Sequence, residues 1–315
     1  MIFPFSFLKS SSAPAPVVTS LNYDQVDTKG GGKTIEVNGA NFVSGAVVYL
    51  DGSFAVTTTF VSSSKVSFAA PVMSAGAHDI RVRNPDAQYG ELLGALEAWS
   101  PAVDPACKLF AEQPDYAAGT WTVRVGTNLT GGTPPPASSG APNFDGTGDL
   151  ESASALNTLL STSGGTIAVI ASSTNTAAAN TSTPYDNASL VANATQGTLG
   201  FWFGQIGGNN GFGMHVYDGA YRTVHAPAAT ATVHTAVGRY NASSLELKVN
   251  AGSFIAAGTA PTGAWSGATG AARFGGNWNG ARSFRGTAKA LVLLNAKCSD
   301  TFATKFHKWA QQRHL

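Results

Sequence analysis

The segment GGKTIEVNGANF, residues 31–42, decides the fold of the first part of the chain. Its apolar residues Ile35 and Val37 alternate with polar ones, which is the period of a half-buried β-strand. Because glycine readily adopts a positive φ, we expect the chain to bend at Gly39 and Phe42 to close one end of an apolar core. The segment therefore predicts one strand of a β-sandwich and the corner that follows it.

The residues around this segment, 16–100, repeat the pattern of a short strand followed by a turn. The dipeptide Asp51-Gly52 stands between two alternating runs and is typical of a hairpin turn. Strands at intervals of about 8–12 residues favour an antiparallel sandwich. The predicted strands are 34–38, 46–50, 55–60, 65–68 and 78–83.

Three motifs in this region resemble the IPT/TIG immunoglobulin-like family. They are the opening PVVTSL of residues 16–21, the glycine-strand-glycine-phenylalanine order of residues 31–42, and GAHDIRV of residues 76–82 after Pro71. The resemblance covers nearly all of 16–100 and implies an immunoglobulin-like β-sandwich. Residues 23–25 (YDQ) depart from the Pro-Ser-Gly-like turn that is usual in the family.

The composition of the 315-residue chain fits an all-β protein. Gly and Pro number 36 and 15, apolar residues make up 43%, and charged residues only 12%, against a typical quarter. The formal net charge of +1 argues against nucleic acid or an anionic membrane as a partner. No apolar run reaches the roughly 20 residues that span a bilayer, so we expect no membrane span. The length predicts two domains.

The first eight residues, MIFPFSFL, are apolar and precede the first cation, Lys9. A secretory signal has the opposite order and a longer apolar region, so we interpret residues 1–15 as an N-terminal arm. Large apolar side chains on such an arm favour burial in the groove of a partner. The candidate anchor residues are Phe3, Phe5, Phe7 and Leu8.

The second part of the chain predicts a larger β-sandwich. Residues 101–110 contain two prolines and are interpreted as a linker, and residues 111–315 contain about nine candidate strands, which suits a jelly roll. The Ala-, Ser-, Thr- and Asn-rich residues 171–193 predict a long surface loop. The predicted strands are 120–125, 165–172, 197–203, 211–217, 222–225, 232–240, 245–250, 271–275 and 286–294.

The order of motifs in this second part resembles concanavalin A-like, laminin-G-type jelly rolls. The motifs are NFDGTGDL at 143–150, GGTIAV at 164–169, the candidate hairpin at 232–250, and the glycine-containing strands at 273–292. The resemblance implies a two-sheet sandwich of about 170 residues.

The C-terminal residues 299–314 predict a helix. Ser299 and Asp300 are good N-cap residues. Phe302, Phe306 and Trp309 follow at helical spacing and would form one apolar stripe. A short terminal helix on the sandwich completes the predicted architecture.

Aromatic residues beside Asn, Asp and Gly are candidates for binding sugars, because sugars stack their C–H face on Trp or Tyr and offer hydroxyls to amides and carboxylates. Trp278 between Asn277 and Asn279 is the best single candidate. The opposing interpretation places such aromatic residues in the core or under a loop. The candidate glycan-binding residues are Trp278, Asn277, Asn279, Trp202, Tyr221 and Asp218.

The sequence offers few candidate residues for metal binding or catalysis, and we expect no cofactor and no metal ion. Asp145 and Asp149 are weak calcium candidates, because a single acidic loop supplies too few oxygen ligands. Asp149 and Glu151 are the one carboxylate pair in this domain at strand spacing, and a polar edge is favoured over glycosidase catalysis. Cys107 and Cys298 are too few for a disulfide framework and are expected to be free and buried, although a bridge between them stays open.

The arrangement of arm, IPT/TIG sandwich and jelly roll looks like a non-enzymatic virion structural protein of a tailed phage. The predicted role is a capsid decoration protein or head fibre, made in the host cytoplasm and displayed on the virion surface. Its arm would bind capsid or other virion proteins, its jelly roll a host-surface glycan, and a trimer is our expectation. The alternatives are a tail fibre or receptor-binding protein, a bacterial surface adhesin or carbohydrate-binding protein, a glycosidase or lyase, and a purely structural jelly roll.

Overall fold

The protein is described here by a computed structural model. The residues that it describes are 13–131, 133–146, 148–174, 188–193, 201–206, 211–229, 231–265, 270–276 and 284–315. The chain divides into two compact units, unit 1 (Met1–Trp99) and unit 2 (Ser100–Leu315). The division falls one residue before the end of the predicted first sandwich, and both units are built almost entirely of β-strands.

Unit 1 is a β-sandwich. One sheet has the order β1-β3-β7-β6, and the other has the order β2-β9-β8-β4-β5, with β2 parallel to β9. The strands are β1 (Val17–Leu21), β2 (Gln25–Val26), β3 (Ile35–Ala40), β4 (Val47–Leu50), β5 (Phe54–Val56), β6 (Thr58–Ser62), β7 (Lys65–Phe68), β8 (Gly76–Arg83) and β9 (Tyr89–Ala98).

The alternation in β3 places Ile35 and Val37 in the core of unit 1, as predicted, with Phe42 beside them. The Asp51-Gly52 hairpin is also present. Both residues have positive φ, 50° and 70°, which the tight turn between β4 and β5 requires.

The prediction of a positive φ at Gly39 is wrong. The residue with positive φ at this corner is Asn41, at 62°. Gly39 is needed for space instead, because a Cβ atom there would lie 1.9 Å from the carbonyl oxygen of Val17 on the neighbouring strand. The close approach of β1 therefore explains the glycine.

Unit 2 contains sixteen described strands. The first eight are β10 (Cys107–Ala117), β11 (Thr120–Val125), β12 (Leu129–Thr130), β13 (Ala137–Ser138), β14 (Ala141–Asp145), β15 (Leu150–Ala155), β16 (Gly164–Ser173) and β17 (Ala188–Asn193). The others are β18 (Phe201–Ile206), β19 (Gly211–Tyr217), β20 (Tyr221–Pro227), β21 (Val233–Asn241), β22 (Ser244–Val249), β23 (Ile255–Ala256), β24 (Ala271–Phe274) and β25 (Arg285–Leu294). Fourteen of the sixteen form one continuous hydrogen-bonded path, and β13 and β14 lie off this path, with β14 pairing with β25.

This path folds back on itself to form the jelly-roll sandwich. We call β20-β19-β18-β17-β24-β15 the front sheet and β11-β10-β25-β16-β21-β22-β23 the back sheet; β12 pairs with β11 and β15 and joins them. The facing sides share one apolar core. At Gly238 of β21, a Cβ atom would lie 2.5 Å from Sδ of Met214 and 3.1 Å from the Phe203 ring, so the two sheets pack tightly there.

The outer side of the back sheet is covered by a helix, α2 (Asp300–Arg313). Ser299 is its N-cap and accepts a hydrogen bond from the Phe302 N–H at 3.1 Å, as predicted. The apolar stripe Phe302, Phe306 and Trp309 is buried. The Trp309 ring lies 5.5 Å from that of Phe110 in β10, edge to face. The short helix α1 (Leu156–Leu159) follows β15.

Two ionic clusters fix α2 to the back sheet. Glu112 of β10 is 1% exposed, and its carboxylate lies 2.8 Å from Arg124 Nη1 and 3.1 Å from Arg313 Nε. At the other end of the helix, Arg239 of β21 donates to Glu246 at 2.8 Å and to Asp300 at 2.5 Å. The helix is therefore held by its apolar stripe and at both ends.

Two segments differ from the predicted boundaries. The last four residues of the predicted linker 101–110 begin the strand β10, where Leu109 and Phe110 are completely buried. Of the predicted surface loop 171–193, residues 171–173 extend β16 and residues 188–193 form β17; residues 175–187 lie outside the described residues. Both predictions relied on Pro, Ser and Thr content, which does not exclude central strands.

Candidate functional site

The outer side of the front sheet carries aromatic side chains of its own. In β19, Phe212, Met214 and Val216 point into the core, so His215 and Tyr217 lie on the outer side. In β18, Phe201 and Phe203 belong to the core, and Trp202 between them lies on the outer side.

Strand pairing aligns these residues in a row. Residues directly opposite each other on antiparallel strands lie on the same face, and neighbouring strands are about 4.8 Å apart. The row crosses six strands and is therefore about 24 Å long. From β15 to β20 its register positions are Glu151, Arg273, Ala192, Trp202, His215 and Thr223.

The middle of the row is closed to solvent. The rings of Trp202 and His215 stack with centroids 5.5 Å apart and planes 16° from parallel. Trp202 is 1% exposed and His215 is completely buried, although Trp202 is not part of the core between the sheets. Neither ring presents a face to solvent.

One end of the row is accessible. The half-buried Tyr217 and Tyr221 flank the turn between β19 and β20, and their ring centroids are 4.9 Å apart. The Tyr221 ring also meets His215 edge to face at 5.3 Å. Thr223 and His225, next to Tyr221 on the same face of β20, are exposed. We call Tyr217, Tyr221, Thr223 and His225 the tyrosine end.

Asp218 holds this turn in place. Its Oδ1 accepts hydrogen bonds from Arg222 Nε at 2.9 Å and from the Ala220 N–H at 3.4 Å. Its Oδ2 accepts from the Thr262 N–H at 2.6 Å and from the Thr262 hydroxyl at 3.1 Å. Burial opposes ionisation, but these bonds outweigh it and lower the pKa of Asp218 to about 2. The carboxylate is fully occupied and positions the two tyrosines.

The other end of the row is ionic. Arg273 Nε lies 2.7 Å from Glu151 Oε1 and 3.5 Å from Asp149 Oδ2. Burial is the largest influence on Asp149 and raises its pKa, while Arg273 acts in the opposite direction. The two carboxylates thus share one arginine.

The structure brings two predicted glycan-binding residues to one face and a third to the adjoining turn, and leaves the others outside its description. Trp202 and Tyr221 both contact the His215 ring, but only Tyr221 offers accessible ring surface. Asp218 lies in the adjoining turn, where it bonds to Arg222 and Thr262. The residues outside the described parts of the chain are Trp278, Asn277, Asn279, Phe3, Phe5, Phe7 and Leu8. Their assignments stay predictions.

The calcium candidates do not gather a ligand cluster. Asp145 is exposed and accepts from the Gly148 N–H at 3.3 Å, and Asp149 faces Arg273. Among the described residues, no group of three or more His, Cys, Asp or Glu side chains is placed to hold a metal ion.

The two cysteines are free and buried, as expected. Burial raises the pKa of Cys107 to about 12 and that of Cys298 to about 11, so both thiols are protonated at neutral pH. Within the described parts of the chain, no helix is long and apolar enough to cross a membrane.

Sequence reasoning missed His215 and Tyr217. The signal was present in the heptapeptide GFGMHVY of residues 211–217, where Phe212, Met214 and Val216 define the core side by their period of two. The same period assigns His215 and Tyr217 to the outer side. Their junction with Trp202 depends on register, which a single strand does not encode.

Comparison with known proteins supports this fold. Residues 16–96 match the model of the IPT/TIG domain, as the opening motifs predicted. No sequence among curated proteins matches the chain. A sialidase of Trypanosoma rangeli in complex with sialic acid is similar with a TM-score of 0.51 and 10% identity, over 94% of this chain and 62% of that one.

A second Trypanosoma rangeli sialidase structure, in complex with a difluorinated nononic acid, is similar with a TM-score of 0.50 and 8% identity, over 94% of this chain and 53% of that one. The CBM40 of a Ruminococcus gnavus sialidase, bound to α2,3 sialyllactose, has 21% identity over 48% of this chain and 83% of its own. Its TM-score is 0.36. At these identities, the likeness to the sialidases concerns the fold.

Proposed function

We propose that the protein is a non-catalytic carbohydrate-binding protein that acts at a surface, and that unit 2 contacts its glycan through the tyrosine end of the front sheet. The observation that carries this proposal is the pair Tyr217 and Tyr221, partly exposed on an outer face and fixed by a turn whose carboxylate is fully bonded. Tyrosine rings stack on the C–H face of a sugar, and their hydroxyls bond to its hydroxyls.

Preorganisation favours such a site. When a loop becomes ordered on binding, it loses conformational entropy, and this loss lowers the affinity. The turn between β19 and β20 does not incur this loss, because its bonds to Arg222 and Thr262 already fix it. Thr223 and His225 add exposed polar groups beside Tyr221. The likeness to the sialidase concerns the fold and does not identify a ligand. The proposal of a saccharide ligand therefore depends on the side chains.

The proposal is tested by screening the full chain on an array of neutral and acidic glycans, followed by calorimetry on each hit. Tyr221→Ala and Tyr217→Ala are each expected to weaken binding about tenfold, and Tyr221→Phe is expected to keep it because the ring remains. Ile255→Ala, which removes an exposed side chain from the back sheet, is the matched control. An affinity that is unchanged in both tyrosine-to-alanine variants would contradict the proposal.

The non-catalytic part is supported by the pairing of carboxylates. Asp149 and Glu151 share Arg273, and Asp218 is fully bonded, so none of these three is placed as a free acid or nucleophile. Incubating the protein with each glycan it binds should leave the glycan intact by mass spectrometry. Release of a shorter glycan in proportion to protein concentration would reverse this part of the proposal.

The surface on which the protein acts is a second part of the proposal, and the apolar sequence MIFPFSFL favours a virion. In this version the arm of residues 1–15 binds capsid or other virion proteins, and repeated copies convert weak glycan contacts into avidity. Light scattering and co-sedimentation with phage particles, with and without residues 1–15, test it. Attachment that needs the arm supports a virion protein, and glycan binding by both forms without attachment supports a bacterial surface adhesin.

A further inference from the structure

Unit 1 has a cleft of its own, with a volume of about 240 Å³, on the outer side of the sheet β2-β9-β8-β4-β5. Val48, Ile80 and Val82 point into the core, so the alternate residues of β4 and β8 face outward. The residues that line the cleft are Tyr49, Gly52, Arg81, Arg83, Ala87 and Tyr89. Strand pairing sets Tyr49 opposite Arg81 and Arg83 opposite Tyr89.

Arg81 is held in one orientation. Its Nη1 donates to the carbonyl oxygen of Gly52 at 3.2 Å, and its Nη2 donates to Glu91 Oε1 at 3.1 Å. The guanidinium carbon lies 4.4 Å from the centre of the Tyr89 ring. Its Nε is buried and has no hydrogen-bond partner among the described residues. Arg81 therefore forms a fixed wall of the cleft, with its charge balanced by Glu91.

Arg83 is different. It is exposed, and in the described parts of the chain no carboxylate lies within ion-pair distance of it. The cleft thus carries one net positive charge, from two arginines and one glutamate. Tyr89 beside it is 52% exposed, and Tyr49 is half-buried.

We propose that this cleft binds a monoanionic sugar ring, of the class of a uronic acid, with its carboxylate on Arg83 and its C–H face on Tyr89. The guanidinium fork matches a carboxylate, and an exposed aromatic ring matches the apolar face of a sugar. The volume lies below the roughly 300 Å³ at which pockets for drug-sized ligands begin, which suits a single ring. The site belongs to unit 1 and does not depend on the proposed function of unit 2.

The test measures binding of sodium D-glucuronate to the full chain by saturation-transfer NMR and titration. Glucose has the ring without the charge, acetate has the charge without the ring, and N-acetylglutamate amide presents a carboxylate as a peptide would. We expect glucuronate to bind about tenfold more tightly than each of the three, because only glucuronate satisfies both contacts.

Two variants of equal charge locate the site. Arg83→Gln removes the unpaired cation and is expected to weaken glucuronate binding about tenfold. Lys29→Gln removes an exposed cation that does not line the cleft and is expected to change the affinity less than twofold. Tyr89→Leu keeps an apolar side chain but removes the ring, and is expected to abolish the preference for glucuronate over acetate.

Several results would overturn the proposal. They are no glucuronate binding at about 10 mM, equal weakening by Arg83→Gln and Lys29→Gln, or unchanged binding in Arg83→Gln. Equal binding of acetate would exclude a ring contact, and equal binding of N-acetylglutamate amide would assign the cleft to acidic peptides. Circular dichroism of each variant shows that a lost affinity is not lost folding.

Discussion

The two outer faces of unit 2 are both formed by β-strands, but they differ in what covers them. On the back sheet, α2 covers the apolar residues. A buried ion-pair cluster at Glu112 fixes one end of the helix, and the pair between buried Arg239 and exposed Asp300 fixes the other. On the front sheet, Trp202 and His215 are buried at the centre, while Tyr217 and Tyr221 stay accessible at the edge. The comparison suggests that one face contributes stability and the other is available for a ligand.

The largest effect is expected on the helix-covered face. Glu112→Ala removes the carboxylate between Arg124 and Arg313 and leaves buried guanidinium groups without their anion. Breaking a buried ion pair in this way costs about 3–5 kcal/mol. Urea unfolding followed by tryptophan fluorescence should show this loss. Asp115→Ala, on the same strand and outside the cluster, should cost less than about 0.5 kcal/mol.

The next effect is expected on the accessible face, in binding rather than in stability. Tyr221→Ala removes one ring from the tyrosine end and should weaken glycan binding by about 1–2 kcal/mol, or about tenfold. Calorimetry with an array-selected glycan measures it. If Tyr221→Ala instead loses as much free energy of unfolding as Glu112→Ala and binds the glycan normally, Tyr221 stabilises the fold and does not bind the glycan. That result would contradict the contrast between the two faces.

A smaller effect is expected at Asp218, which positions the tyrosines. Asp218→Asn loses an ionic acceptor for Arg222 and Thr262, so affinity should fall about threefold and amide exchange in residues 217–222 should accelerate. Because the pKa of Asp218 is lowered to about 2, the stability it contributes is present above its unfolded pKa and is lost as pH falls through 2. The wild-type turn should therefore show unchanged protection from pH 7 to about pH 4, and loss of protection by pH 4 would contradict this account.

The smallest effect concerns unit 1 and depends on pH. His78 Nδ1 lies 2.8 Å from Asp51 Oδ2, and Nε2 lies 2.9 Å from the carbonyl oxygen of Ser74. Burial lowers the pKa of His78, but the bonds to Asp51 and Ser74 outweigh it, and the net pKa is raised. A raised folded pKa adds stability that is complete below the unfolded value of about 6.5 and is lost as pH rises through the folded value.

Amide exchange in β4, β5 and β8 should therefore be slower at pH 6 than at pH 8, after correction for the intrinsic rate. His78→Gln keeps a polar side chain without a titrating group and should remove this difference. A wild-type protein whose protection is the same at both pH values would exclude the protonated histidine bridge.

Much of the fold could be predicted from short-range patterns. The alternation in 211–217 and 120–125 gave strand bounds that the structure reproduces, and the stripe of Phe302, Phe306 and Trp309 gave the helix. The predictions that failed concern residues whose contacts are far away in the sequence. Gly39 is explained by the carbonyl of Val17. Leu109 and Phe110 lie on a strand that pairs with β25, which begins at residue 285, and composition does not encode such a distant partner.

The candidate site was predicted only in part for the same reason. Tyr221 and Asp218 could be selected because aromatic and acidic residues beside glycine mark sugar-binding loops. The bonds of Asp218 to Thr262, and the stack of Trp202 on His215, arise from register and loop packing. These contacts change the role of Asp218 from a ligand contact to a positioning residue.

The most direct test of the central claim is differential hydrogen–deuterium exchange of the full chain with and without a glycan that it binds. Our account predicts protection in peptides that cover residues 211–227, with no change in α2 or in the back-sheet strands beneath it. Protection confined to α2 or the back sheet, with residues 211–227 unchanged, would contradict the assignment of the tyrosine end as the glycan-binding site.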